Sequence, residues 1–179
     1  MTDEMTIQTI NGELFKNEEL NVFAVLDGAS IPDLLDQLYE QQPEHVCLYR
    51  GELEPDMAEV APYLVRLEPG SDFTDWLIEK GWGRHWGIFA LSGESLRAMR
   101  NHFRAFLIVY TPENKPVHFR YYDPRVMRIY LPTCNSKELD TVFGPVDEFL
   151  LEGEGAKMAL RFRNNSGILQ QKKLTIMEE

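Results

Sequence analysis

The 179-residue sequence predicts an α/β fold: a mixed sheet with helices packed on it, in a single compact domain with a short C-terminal extension. Three observations carry that expectation. Between Asn21 and Tyr49 an apolar run, an amphipathic run and a second apolar run follow one another, the pattern of strand, helix and strand. Capping residues stand ahead of amphipathic stretches at Ser30, Ser71, Ser92, Asp123 and Asn135. The composition, 44% apolar and 11% aromatic, is that of a chain able to fill one core rather than of a disordered one.

The first 20 residues are polar, with a turn signal at Asn11-Gly12, and are expected to hold at most a short early strand. Asn21–Asp27, NVFAVLD, reads as a buried strand that Gly28 ends. Ser30, Pro32 and Asp33 combine a hydroxyl cap, a first-turn proline and an acid that suits the helix dipole. The helix they start places Leu34, Leu35, Leu38 and Tyr39 on one face and stops before Pro43. His45–Tyr49 is the second strand, so the unit resembles βαβ and its two strands are expected to run parallel.

Glu54–Val60 reads as a short helix or turn, and Tyr63–Leu67 as a strand. Ser71 caps a helix with Asp72 and Asp75 in its first turns, an apolar face of Phe73, Trp76 and Leu77, and Gly81 at its end. A strand over Trp86–Leu91 follows. Ser92 is read as the cap of the next helix, where Leu96, Met99, Phe103 and Phe106 keep helical spacing. Its other face shows Arg97, Arg100 and Arg104, either a solvated face or a docking one. Phe106–Thr111 and Val117–Tyr122 read as strands joined by the hairpin-like TPENKP.

Asp123 and Pro124 cap and start a helix expected to turn Val126, Ile129 and Tyr130 to the core. Asn135 and Glu138 form a capping box for a helix ending at Phe143-Gly144. Val146–Leu151 and Met158–Phe162 read as strands around a Gly-Glu-Gly turn, and residues 164–179 hold one more strand or a mobile tail. The domain is therefore placed at 1–150, with its core over about 21–150, and 151–179 as a short strand or tail extension.

The net charge of −11 is unevenly laid out. Residues 1–80 hold 18 acids against 4 Lys and Arg, whereas residues 81–130 hold 3 acids against 8. Such a chain repels phosphate over most of its surface, which argues against non-specific nucleic-acid binding. Either the basic middle packs on the acidic first half, or it receives an acidic partner. The first ten residues lack the basic and apolar blocks of a signal peptide, and the longest apolar run, Phe106–Tyr110, is too short to span a bilayer. With Cys47 and Cys134 in no metal or redox spacing, a cytoplasmic protein with two reduced thiols is expected.

Two stretches concentrate the unusual residues: GWGRHWGIF, Gly81–Phe89, and FRYYDPRV, Phe119–Val126. Glycines between bulky aromatics mark backbone that bends sharply or is closely approached. The glycines follow a helix and precede a strand, the reverse of what a phosphate-cradling turn needs. No nucleophile elbow, P-loop or zinc motif occurs, and His45, His102 and His118 lack ligand spacing. His85 with Asp123 or Asp27 has the composition of a base and its orienter, but no nucleophile stands in a recognisable setting. The other reading of His85 is a hydrogen-bonded structural histidine. Asp27, Arg84, Arg120 and Asp123 suit a ring of ion pairs at the sheet ends, with Asp123 and Pro124 opening a helix. Trp82, Trp86 and Tyr122 with Arg84, Arg120 and Arg125, if exposed, are instead the composition of an interface hot spot.

In order, LDGA (Leu26–Ala29), LYRGEL (Leu48–Leu53), APYLV (Ala61–Val65), GWGRHWGIF, FRYYDPRV, YLPT (Tyr130–Thr133) and FGPV (Phe143–Val146) resemble the Tap-type adaptor and chaperone family of bacterial type VI secretion. The resemblance covers roughly Asn21 to Leu150 and is carried by the ordered set rather than by one motif. It implies a cytoplasmic, non-enzymatic adaptor that binds a secreted effector and helps load it onto the VgrG-type spike protein. It implies no catalytic residue, cofactor or metal, and no nucleic-acid or membrane partner. Partner-binding candidates are Trp82, Arg84, His85, Trp86, Arg97, Arg100, Arg104, Tyr122 and Arg125. The competing expectations are a small hydrolase-like enzyme using His85 with an acid, and a nucleic-acid-associated module.

Overall fold

A computed structural model describes residues 2–176. Seven strands form one sheet in the order β2-β3-β1-β4-β7-β8-β9, every neighbouring pair antiparallel. They are β1 Asn21–Asp27, β2 His45–Cys47, β3 Pro62–Leu67, β4 Gly87–Ser92, β7 Glu148–Glu152, β8 Met158–Asn165 and β9 Ile168–Thr175. A separate hairpin pairs β5, Ile108–Tyr110, with β6, Pro116–His118. The helices are α1 Glu4–Phe15, α2 Leu34–Gln41, α3 Pro55–Val60, α4 Asp72–Gly81, α5 Leu96–Arg104, α6 Pro124–Tyr130 and α7 Ser136–Phe143.

Helices cover both faces of the sheet, and β1 shows why its sequence is apolar throughout. Successive side chains point to opposite faces. Val22, Ala24 and Leu26 enter a core with Ile10 and Leu14 of α1, Leu34 and Leu38 of α2, and Phe73 and Leu77 of α4. Phe23 and Val25 enter a second core with Met99 and Phe103 of α5, Met127 of α6 and Leu139 of α7. Phe162 of β8 is buried in that second core and Ala159 in the first, so the strands after residue 150 share both cores with the rest of the sheet. Residues 150 and 151 themselves lie side by side inside β7.

Several elements differ from the sequence expectation. The early strand is a helix, α1: Asp3 accepts from the Thr6 amide at 2.9 Å, and Thr6, Ile10 and Leu14 are buried at four-residue spacing. Gly12 sits on its exposed side, where the helix bears the cost of about 1 kcal/mol relative to alanine. Strands β1 and β2 do run in the same sense, but β3 lies between them and pairs with both. The cap of α5 is Ser95, whose hydroxyl accepts from the Ala98 amide. Ser92 is instead the buried end of β4 and donates its hydroxyl to the Pro145 carbonyl. In α6 the core side is Pro124, Met127 and, just beyond, Leu131, while Val126 and Ile129 face solvent, Ile129 at 69% exposure. Tyr39 is likewise outside the α2 core face. Met177–Glu179 of the expected tail lie outside the described residues; the preceding stretch is β9, paired along its length with β8.

Candidate functional site

The two singled-out stretches meet at one end of the sheet, where β1 finishes at Asp27 and the loop from α4 enters β4. Each glycine of that loop has a steric reason. A Cβ on Gly81 would sit 2.7 Å from Trp86 Cε3, and Gly83 takes φ +85°. A Cβ on Gly87 would overlap the Val25 carbonyl oxygen of the paired strand. The tryptophans they release point inward. Trp82 is buried and donates its indole N–H to the Ala156 carbonyl at 2.8 Å. Trp86 is buried against Trp76, ring centroids 5.3 Å apart, and its carbonyl accepts from the Asp27 amide at 2.9 Å.

Beneath the loop lies the buried carboxylate of Glu152, at the end of β7. It accepts from the Gly83 amide at 3.0 Å and the His85 amide at 3.2 Å. His85 itself is in the left-handed region at φ +60°, an uncommon conformation for a residue with a side chain. Its Nδ1 stands 3.2 Å from Glu152 Oε2 without the alignment of a hydrogen bond. Burial lowers the His85 pKa, with Arg125 and Arg128 adding to the shift against the pull of Asp123. Burial pushes the Glu152 carboxyl up to about 7, although the two amides and Arg128 oppose it.

A carboxyl whose folded pKa exceeds its ordinary value stabilises the fold most when protonated. The Glu152 contribution is therefore full below 4.5 and is lost as pH rises to about 7. Glu152→Gln removes that titration. Its stability relative to wild type is expected to rise by on the order of 3 kcal/mol between about pH 4.5 and pH 8, read from urea unfolding at each pH. A difference constant across that range would mean that Glu152 titrates at its ordinary value.

FRYYDPRV supplies the other half. Asp123 accepts from the Arg125 amide at 2.9 Å, which caps α6, and takes the Arg125 guanidinium through Nε at 3.0 Å and Nη2 at 2.7 Å. Those bonds outweigh burial and lower the Asp123 pKa. Asp27 accepts from Ser30 Oγ at 2.6 Å, the Ala29 amide at 3.2 Å and Arg120 Nη2. Arg120 also lies over the Tyr122 ring, 5.8 Å from its centroid, and Tyr122 is buried with its hydroxyl 3.1 Å from His118 Nε2. Of the expected ring, Asp27–Arg120 is an ion pair, Asp123 pairs instead with Arg125, and Arg84 is exposed and makes none among the described residues.

The remaining candidates separate. Arg97 is exposed and Arg100 partly so, its guanidinium donating to the neighbouring Asn101. Arg104 is not part of a free stripe: it donates to the carbonyls of Cys47 at 2.9 Å and Leu48 at 3.2 Å, tying α5 to the end of β2. Sequence reasoning missed Glu152, together with a buried network in which Arg161 binds Glu148 and Glu13, and Arg163 binds Glu148. The available signal was the spacing of Glu148 and Glu152 around Leu150, which puts two acids on one face of an otherwise apolar strand.

The cluster has acids, bases and a histidine, and the hollow on the Glu152 side of the loop is small. The hollow bounded by Gly81, Trp82, Trp86 and Glu152 measures about 10 Å³, roughly the room of a single water. Among the described residues no three His, Cys, Asp or Glu side chains are grouped to hold a metal, and no helix is long and apolar enough to cross a membrane.

Comparison with known proteins bears on this end of the fold directly. A family described as "Domain of unknown function (DUF4123)" matches residues 22–141, which include both motif stretches, β3, β4 and all of β1 but Asn21. No curated protein and no solved structure matches the chain. The chain therefore belongs to the DUF4123 family, known as the adaptor family of type VI secretion effectors.

Proposed function

We propose that the protein is a cytoplasmic, non-enzymatic adaptor that binds a type VI effector and promotes its loading onto the VgrG-type spike protein. Family membership supports an adaptor role in general. The observation that carries the reading further is the use made of the shared motifs. Trp82, Trp86 and Tyr122 are buried, Asp27 and Asp123 are engaged by arginines, and Glu152 is taken up by backbone amides. These groups fix a backbone shape, and that shape presents other surfaces. Arg97 and Arg100 on α5 are a basic surface suited to an acidic partner.

Co-purification of the chain with the effector and spike proteins encoded beside its gene tests this. A stable complex is expected, and Arg97→Glu/Arg100→Glu is expected to weaken capture about tenfold with an unchanged melting curve. Arg104 is left in place because its contacts to β2 are structural. No complex with either protein would remove the adaptor reading, and unchanged capture by the double variant would return α5 to plain solvent. The enzymatic alternative has one observation in its favour, the Glu152 carboxyl at about 7 within 3.2 Å of His85. Against it, the hollow on the Glu152 side of the loop has the room of about one water.

A further inference from the structure

Two open recesses of the surface lie away from the two motifs, along α2. One, of about 540 Å³, runs between the start of α2 and the end of α3 and is lined by Ile31, Leu35 and Val60 with Asp33, Asp36 and Glu59. A second, of about 420 Å³, continues along the other end of α2 over Leu38, Tyr39 and Tyr63, and Leu35 borders both. Large apolar side chains are exposed here: Tyr39 at 80% and Val60 at 42% border the recesses, and Met57, at 47%, stands one turn before Val60 on α3. Met57 and Val60 are three residues apart, so α3 turns both the same way. None of them serves the cores, and the site at the sheet end does not use them.

The charge around these recesses is one-sided. Residues 28–60 carry eight acids, Asp33, Asp36, Glu40, Glu44, Glu52, Glu54, Asp56 and Glu59, against the single cation Arg50. Apolar anchors framed by carboxylates favour an occupant with apolar side chains on one face and Lys or Arg beside them, and repel an acidic one. The recesses are flanked by open helix faces rather than enclosed. That suits a segment laid across them better than a small molecule held within.

We propose that the α2–α3 groove is a docking site for a cationic amphipathic segment of a partner protein. This deepens the adaptor reading and rests on it for the source of the segment; the recognition chemistry comes from the groove alone. It would give the adaptor two contact surfaces of opposite charge, acidic here and basic on α5.

The test uses the full chain and a synthetic helical peptide with leucines at three- and four-residue spacing and lysines between them, its binding followed by fluorescence anisotropy. The same peptide with glutamate for lysine is the control. Three variants decide the matter, all at exposed positions. Asp36→Lys/Glu59→Lys is expected to weaken the lysine peptide about tenfold, and Tyr39→Ser/Val60→Ser to weaken it comparably with no change in charge. Glu18→Lys/Glu113→Lys, the same charge change far from the groove in sequence, is expected to cost about twofold or less. The glutamate peptide is expected not to bind.

Equal losses from the two charge reversals would reduce the effect to net-charge attraction and overturn the proposal, as would undiminished binding by Tyr39→Ser/Val60→Ser. Capture of effector and spike by the wild-type chain is measured in parallel. Capture without peptide binding removes the groove and leaves the adaptor reading standing. Peptide binding without capture removes the adaptor reading and leaves the groove.

Discussion

Trp86→Ala is expected to lower the unfolding free energy by about 3–5 kcal/mol, the usual cost of truncating a buried tryptophan. The side chain closes the core between α4 and β4, packed on Trp76, which in turn packs on Phe73 at 5.4 Å between ring centroids. It also lies against the position where Gly81 carries no side chain, so the cavity left by alanine borders backbone that cannot move in to fill it. Because the neighbouring Trp86 carbonyl anchors the Asp27 amide, the loss should loosen the sheet end as well as the core. Urea unfolding should show a lower midpoint with an unchanged slope. An unchanged midpoint would place Trp86 outside the core.

Arg161→Met is the second large effect. Arg161 is 3% exposed and reaches Glu148 on the same sheet face and both the carbonyl and carboxylate of Glu13. Burial lowers its pKa, with Arg163 also disfavouring the charge, and Glu13 offsets part of the shift. Removing one member of such a network leaves the other buried charge without its partner, typically a loss of about 3–5 kcal/mol. Arg163 stays on Glu148, which should hold the loss near the lower end. The double variant Arg161→Met/Glu148→Gln removes the orphaned charge and should recover much of the stability. If the double variant is no more stable than the single one, the loss comes from packing and not from an unpaired carboxylate.

Much of the fold was legible because its signals are local. Ser71 caps α4, Asp123 and Pro124 open α6, and Asn135 with Glu138 forms a reciprocal capping box, each fixed within three residues of chain. What local pattern could not supply is strand order. The sequence Asn21–Tyr49 reads the same whether β1 and β2 touch or are parted by β3, since the choice is made by a strand that arrives later. Helix α1 was hidden by Asn11-Gly12, a turn signal overridden when Ile10 and Leu14 found a core to enter.

At the site, composition singles out stretches that the fold brings together but does not give the direction of their side chains. A tryptophan between glycines reads alike whether it faces a partner or the interior, and Trp82 and Trp86 face inward because Ala156 and Trp76 wait there. Arg104 shows the same limit. Its helical spacing with Arg97 and Arg100 suggests one stripe, yet three carbonyls at the end of β2 and just beyond turn it to structural use. Glu152 escaped notice because two acids at the ends of an apolar strand match no motif, and only their shared face with Leu150 marks them.

The central claim is that this end of the sheet sets the shape of a docking body and carries out no bond chemistry. The most direct measurement is sedimentation of the purified chain with the purified candidate effector encoded beside its gene, for wild type and for His85→Gln, with that protein checked for covalent change. A stoichiometric complex of equal affinity in both proteins, with the effector unaltered, is the expected result. An effector cleaved or modified by the wild type and left intact by a folded His85→Gln would contradict it.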